Sequence, residues 1–269
     1  KKTFSSKIRQ IFSKFKGWLK EIYQDITNSE IGITLSDNMR KLYDDLVSFN
    51  DFDRPLDKID LSKEKNKEKI RFELDIELND TINNIVGELH HNGNNPLIIG
   101  GAVRDALLGK KSKDIDIEVY NTNYEDLEKI LSKYGKTDIV GKSFGVVKFT
   151  DSEGNSYDFS IPRRESKTGI GHKGFDVEFD KDITPKEAAE RRDFSWNGLS
   201  YNPITKEIND FYGGMSDLKE NVIRHTSEKF EDDPLRILRA MQFQSRFGLD
   251  IHPDTKELMK KMVERGDID

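Results

Sequence analysis

Apolar and polar positions change their period along the chain. Near the start, Ile8, Ile11, Phe12, Phe15, Trp18, Leu19, Ile22, Tyr23 and Ile26 recur at helical spacing, with Lys and Arg filling the other face. That spacing predicts one amphipathic helix. Such a stripe docks on a protein core or lies on a membrane surface, and core docking is the commoner use. A second helix is predicted after Ser36 as N-cap, with Met39, Leu42, Tyr43, Leu46 and Val47 as its stripe. Residues 48–69 are charged and poor in apolar positions; they read as a linker running into a helix that ends near His91. From about residue 96 the texture shortens to strand-like runs at Leu97–Ile99, Ile115–Val119, Gly145–Phe149 and Ser156–Ile161. A helical pattern, Tyr124–Tyr134, lies between them. Strands alternating with helices predict a mixed sheet. From Ala188 onward the signals are mostly helical again.

Composition narrows the class. The chain has 269 residues and no cysteine, a length for one large domain or two smaller ones and no means of forming a disulfide. No apolar run approaches the ~20 residues that span a bilayer, and the basic start has neither a continuous apolar core nor a cleavage site. The cytoplasm is the expected compartment, with no membrane partner. Hydrophobic residues make up 34% and charged residues 35%, yet 16 Phe leave material for a core. The net charge of −6 counts against a uniformly basic nucleic-acid binder, though a local basic groove can sit on an acidic protein.

The chemistry concentrates in 113-KDIDIEV-119 and the segment before it. On a strand, residues i and i+2 share a face, so Asp114 and Asp116 are expected to project together. Two carboxylates so close repel and raise each other's pKa. A divalent cation relieves this, and hard oxygen ligands suit Mg²⁺, which keeps substrate phosphates among its other ligands. For a bare Asp-x-Asp, an edge strand with a solvated polar face is the commoner reading. The preceding 97-LIIGGAVRDALLG-109 adds a second signal. Gly100 and Gly101 follow a strand and open a predicted helix, Ala102–Leu108. Glycine permits a tight turn and close approach of backbone to a ligand, helix N-termini favour anions, and Arg104 adds a charged fork. Together these features describe a triphosphate seat beside a metal site.

100-GGAVRD-105 with 114-DID-116 resembles the first motif of the class II tRNA nucleotidyltransferases, the CCA-adding enzymes and their bacterial poly(A) polymerase relatives in the DNA polymerase beta superfamily. Further segments are similar to that family in the same order: 162-PRRESKTGIGHKGF-175, 191-RRDFSWNGLSY-201, 210-DFYGG-214 and 232-DDPLRILRAMQFQSRFGL-249. The resemblance covers roughly 96–255. It implies an α+β fold: a polymerase-beta-like nucleotidyltransferase head, a mixed sheet with helices, followed by a helical neck. The expected domains are a helical extension and charged linker over 1–70, the head over 71–222, and the start of a base-reading neck over 223–269.

The resemblance also implies roles. Asp114 and Asp116 are the expected ligands of a two-metal Mg²⁺ site, in which one ion activates the attacking 3′-hydroxyl and the other steadies pyrophosphate. Asp158, on the run Ser156–Ile161, is the candidate third carboxylate; a plain strand-surface Asp is the alternative. Arg192 is placed against the nucleotide, Asp193 near the sugar or a helix terminus, and Asn197 beside the ribose or in a turn. Arg191 and Arg192 close a helix opened by Thr184-Pro185-x-Glu187, a capping box with Pro at N1, so complementing the helix dipole is their other reading. Asp233, Arg236 and Arg239, spaced three apart, share a helical face. In the family the acidic residue and arginine read the edge of the incoming CTP or ATP; an intrahelical ion pair is the alternative. The family's usual Glu is Asp232 here, with Glu231 before it, and Asn197-Gly198 stands where Asn-Ala is usual. His172, in the glycine-rich 169-GIGHKGF-175, is expected to be a loop residue.

The function expected is template-independent addition of CMP or AMP from CTP or ATP to an RNA 3′ end, with tRNA as the first candidate acceptor. A poly(A) polymerase or a nucleotidyltransferase with another acceptor is the alternative, and a non-catalytic RNA-binding module the reading from another class. Family members continue past the neck, and this chain opens on Lys1 and stops at Asp269, so it reads as part of a longer protein. Residues 18–47 resemble helical segments of very large phage or mobile-element proteins. On that reading the N-terminal helices contact another part of a phage-encoded protein.

Overall fold

The computed structural model describes residues 54–64, 67–112, 114–140, 145–167, 175–179 and 182–267, with the side chains of 139–140, 163–167 and 175–179 left undescribed. The helices expected within 1–47 and the loop holding His172 lie outside the described residues.

In chain order, a 3-10 turn at Pro55–Lys58 leads to β1 (Lys69–Arg71), α1 (Asp80–His91), β2 (Asn95–Ile99), α2 (Gly101–Leu107), β3 (Asp116–Tyr120), α3 (Tyr124–Leu131), β4 (Lys136–Val140), β5 (Val146–Thr150) and β6 (Ser156–Ser160). The hairpin β7 (Arg163–Lys167) and β8 (Phe175–Phe179) follows. Then come α4 (Pro185–Glu190), β9 (Ser200–Asn202), β10 (Glu207–Asn209), α5 (Gly214–Lys219), β11 (Val222–Ile223), α6 (Leu235–Phe247), β12 (Asp250–Ile251) and α7 (Pro253–Glu264). Eight strands make one mixed sheet in the order β1-β10-β9-β2-β3-β6-β5-β4.

The register sorts the two faces. Ile98, Ile117, Phe159 and Val147 stand opposite one another on successive strands, all fully buried. They form an apolar row on the face opposite Asp116 and Asp158. Ile82, Ile85 and Leu89 of α1 and Leu127 and Ile130 of α3 supply matching buried stripes. Asn79 and Asn123 cap these helices by accepting from Ile82 N and Asp126 N. A second apolar cluster joins the sheet to α6: Trp196 packs edge-on to Phe243 at 4.9 Å, and Phe194 does so at 5.7 Å.

Three expectations change. The charged stretch 48–69 does not run straight into a helix. Its described part forms the turn at Pro55–Lys58 and ends in β1, which pairs with β10. Nor is the region after Ala188 mainly helical at first: β9 and β10 form an antiparallel pair within it. Each has only three residues, too few for a period of two to show in the sequence. And β3 begins at Asp116, one residue later than expected, so Asp114 lies in the segment leading into it.

The 210-DFYGG-214 segment is a helix start. Asp210 accepts from Gly214 N at 2.7 Å and Met215 N at 3.0 Å, and Gly213 takes a left-handed φ of 74°. A Cβ on Gly214 would lie 2.5 Å from the carbonyl oxygen of Ser195, where no side chain can yield. Gly214→Ala is therefore expected to cost about 1–3 kcal/mol, read as a lowered urea midpoint at unchanged slope.

Candidate active site

The Asp-x-Asp segment opens the central strand of the sheet. β3 is flanked by β2 and β6, which removes the edge-strand reading. In the parallel pair β3–β6, Asp116 stands directly opposite Asp158, and Glu118 opposite Ser160. The row through Asp116 continues to Lys148 on β5 and Asp138 on β4. Asp158, uncertain from sequence, is thus the cross-strand neighbour of Asp116 on the same face. Partial desolvation, then the charges of Asp158, Asp114 and Glu118, push the Asp116 carboxyl above its usual range, while Arg192 opposes the shift. Among the described residues no three acidic or imidazole side chains already stand at metal-binding spacing. Asp114, Asp116 and Asp158 nonetheless share one electrostatic neighbourhood, and their hard oxygen donors suit Mg²⁺.

The glycine turn lies at the end of the adjacent strand, where Ile99 pairs with Asp116. Gly100 adopts φ 65°, ψ −124°, a conformation open to glycine and costly for a residue with a Cβ. Its N–H donates to Leu199 O at 3.2 Å, tying the turn to β9.

Arg104 does not extend a free fork toward this cleft. It is buried, with Nε bonded to Asp105 Oδ1 at 2.8 Å and Nη1 to Asn197 Oδ1 at 3.3 Å. Its guanidinium carbon lies 4.9 Å from the Phe247 ring centre and 5.4 Å from that of Trp196. Desolvation explains the difference: a buried guanidinium must satisfy its donors internally, and Asp105 and Asn197 are the acceptors at hand. Arg104 therefore supports the turn from beneath. Asn197 passes the connection on through Nδ2 to Asp193 Oδ1 at 2.8 Å, and Asp193 Oδ2 accepts from Arg239 Nε at 2.7 Å. A buried polar chain thus links α2, the 191-RRD-193 segment and α6.

The remaining candidates gather around the same segment. Thr184 and Glu187 form the expected capping box of α4, and Arg191 is its C-cap, so Arg192 and Asp193 lie just past the helix end. Arg192 Nη2 sits 3.4 Å from Glu118 Oε1. Asp233 precedes the N-cap Pro234 of α6 and accepts from Leu235 N at 3.0 Å. Arg236 donates to the carbonyls of Lys229 at 2.6 Å and Arg191 at 2.8 Å, which brings α6 against the Arg-Arg-Asp segment. Glu231 pairs with Arg265 at 2.5 Å. Gly198 has φ −79°, and a Cβ there would meet Ser195 O at 3.1 Å. Glycine at this position fits a close backbone approach.

Asp193→Asn tests the buried chain. It removes the charge that Arg239 and Asn197 share and turns an amide donor toward one of them. The expected loss is about 1–3 kcal/mol for a buried group left unsatisfied, measured by thermal unfolding.

The family model described as "Poly A polymerase head domain" matches residues 97–224. Residues 97–224 are thus similar in sequence to the head domain of poly(A) polymerases. The chain is 37% identical over 175 residues to the "Multifunctional CCA protein" of Xanthomonas campestris pv. campestris, covering 64% of this chain and 41% of that protein. It is 39% identical over 173 residues to the "CCA-adding enzyme" of Coxiella burnetii, covering 64% and 44%. Among solved structures, an apo CCA-adding enzyme superposes with TM-score 0.61 at 31% identity, covering 70% of this chain and 46% of that one. A complex of a CCA-adding enzyme with CTP gives 0.57 at 31%, covering 70% and 43%. The Thermotoga maritima CCA-adding enzyme complexed with tRNA gives 0.56 at 30%, covering 71% and 44%. The described sheet and its helices therefore have the polymerase-beta-like fold of these neighbours, and the chain spans less than half the length of these relatives.

Glu118 and Tyr120, buried beside Arg192, were not picked out by motif. Their signal was present: 114-DIDIEVY-120 keeps polar residues at every second position, so Glu118 continues the face of Asp116.

Proposed function

We propose that this chain carries a metal-dependent, template-independent nucleotidyltransferase site that adds CMP and AMP from CTP and ATP to an RNA 3′ end, with the tRNA CCA end as the acceptor. The observation that carries the reading is the cross-strand pairing of Asp116 with Asp158 beside the Gly100 turn. The relatives' names and the neighbours solved with CTP and tRNA support the substrate classes.

In this reading Asp114, Asp116 and Asp158 hold Mg²⁺ as a two-metal site. Bound Mg²⁺ supplies neutralisation of the triphosphate and acidification of the 3′-hydroxyl. The protein's own groups do the rest. The backbone of Gly100 and Gly101 seats phosphates, and Arg104 keeps that turn rigid. Arg192, still 35% exposed, receives the nucleotide, and Asp193 and Asn197 hold its segment in place. Asp233 and Arg236 read the edge of the base, with Arg239 anchoring α6. A site whose groups must all be paired rejects a base that leaves them unpaired.

The acceptor is tested with tRNAs ending before CCA, after C and after CC, incubated with Mg²⁺ and labelled CTP or ATP. Ordered C, C, A incorporation is expected. A long A tail would support a poly(A) polymerase instead.

A further inference from the structure

Glu118 is a carboxylate in an unusual place. It occupies the middle of the central strand, buried between Leu97 on one side and Ser160 on the other. A β-branched apolar residue would pack this position without desolvating a charge. Both of its oxygens are engaged: Oε2 accepts from the Tyr120 hydroxyl at 2.5 Å and Oε1 faces Arg192 Nη2 at 3.4 Å. Glu118 is thus committed to the Tyr120 hydroxyl on one side and the Arg192 guanidinium on the other, not to a metal ion.

Tyr120 is fixed in turn. It is buried in a cluster with Leu97, Ile99 and Ile183, against which Ala188 of α4 packs. Burial, and the nearby charge of Glu118, hold its phenol well above the ordinary range, so it stays a donor. Arg192 stands at the other end of the chain. Its bond to Glu118 is its only side-chain hydrogen bond among the described residues, and its charge is felt at Asp116. One edge of the guanidinium is therefore held by a rigid carboxylate, while the side chain stays 35% exposed.

We propose that Glu118, locked by Tyr120, is a positioning residue that presets Arg192 to receive the nucleoside triphosphate. The inference rests on Arg192 being a nucleotide contact, as in the function proposed above. A preset arginine binds its anion without first losing rotamer freedom, and this is the general advantage of preorganised polar groups. Free in solution, a surface arginine would have that entropy to lose on each binding event.

A double-mutant cycle on labelled CTP binding with Mg²⁺ tests this, using the 269-residue chain and the variants Glu118→Gln, Arg192→Ala and their combination. Glu118→Gln preserves shape and removes the charge. Each single change is expected to weaken CTP binding about tenfold, and the pair by little more than Arg192→Ala alone, as for two members of one network. In turnover, the Glu118→Gln effect is expected in KM for CTP rather than in kcat. Tyr120→Phe keeps the ring packed and serves as a second variant, with a weaker effect in the same direction. If Arg192→Ala weakens binding while Glu118→Gln does not, or if the two effects simply add, Glu118 does not position Arg192. If Arg192→Ala leaves binding intact, Arg192 is not a nucleotide contact, and both readings fall together. No binding by the unsubstituted chain would reject the nucleotide site itself.

Discussion

Replacing Asp116 by asparagine is expected to lower the rate of nucleotide transfer by about 10³-fold or more, roughly 4 kcal/mol of transition-state stabilisation. The reason is positional. Asp116 begins the central strand, faces Asp158 across the parallel pair and lies next to the glycine turn. Its substitution removes a charged oxygen donor from the proposed metal seat. Stability should move the other way. Desolvation and three neighbouring carboxylates already disfavour the charged form of Asp116, so an uncharged amide relieves repulsion and the melting temperature is expected not to fall. Asp158→Asn should follow the same pattern. Asp138→Asn is the control: it lies in the same cross-sheet row, two strands beyond Asp158, and should leave transfer unchanged. A comparable loss with Asp138→Asn would mean that the row acts through its overall charge, not through a metal seat.

The second large effect is on base choice. Arg236→Lys keeps the charge but loses the planar fork, and Arg236→Ala loses both. Either is expected to lower CTP and ATP incorporation about 10²-fold and to narrow the preference over UTP and GTP by a similar factor, because a hydrogen-bonding edge discriminates most by leaving wrong partners unpaired. Arg236 also bonds the carbonyls of Lys229 and Arg191, so both variants should unfold at lower temperature. The ratio of CTP to UTP incorporation separates the effects, since partial unfolding scales both rates alike. Unchanged selectivity would assign Arg236 to fastening α6 alone.

The sequence made some of this legible and hid the rest, for identifiable reasons. The β2–β3 region was readable because Leu97–Ile99 and Ile115–Val119 carry strong apolar runs, and the structure differs there only by a residue or two at the ends. The capping box at Thr184 was readable because it is a local exchange of hydrogen bonds. The partner of Asp116 was not readable: Asp158 lies 42 positions later in sequence, brought alongside by strand pairing that no local pattern encodes. The surroundings of Arg104 were hidden for the same reason. Its charge and its place after a glycine turn suggest an anion, but Trp196, Phe247 and Asn197 close over it from distant segments. Glu118 was hidden differently, since its alternation with Asp116 was visible but its burial beside Tyr120 and Arg192 was not.

The reaction itself is most directly tested by the fate of the γ-phosphate. CTP labelled at that position should yield labelled pyrophosphate, dependent on both Mg²⁺ and a tRNA lacking its CCA end, and the Asp114→Asn/Asp116→Asn pair should abolish the release. Labelled orthophosphate in place of pyrophosphate, or release that persists in the paired variant, would contradict nucleotidyl transfer at these carboxylates.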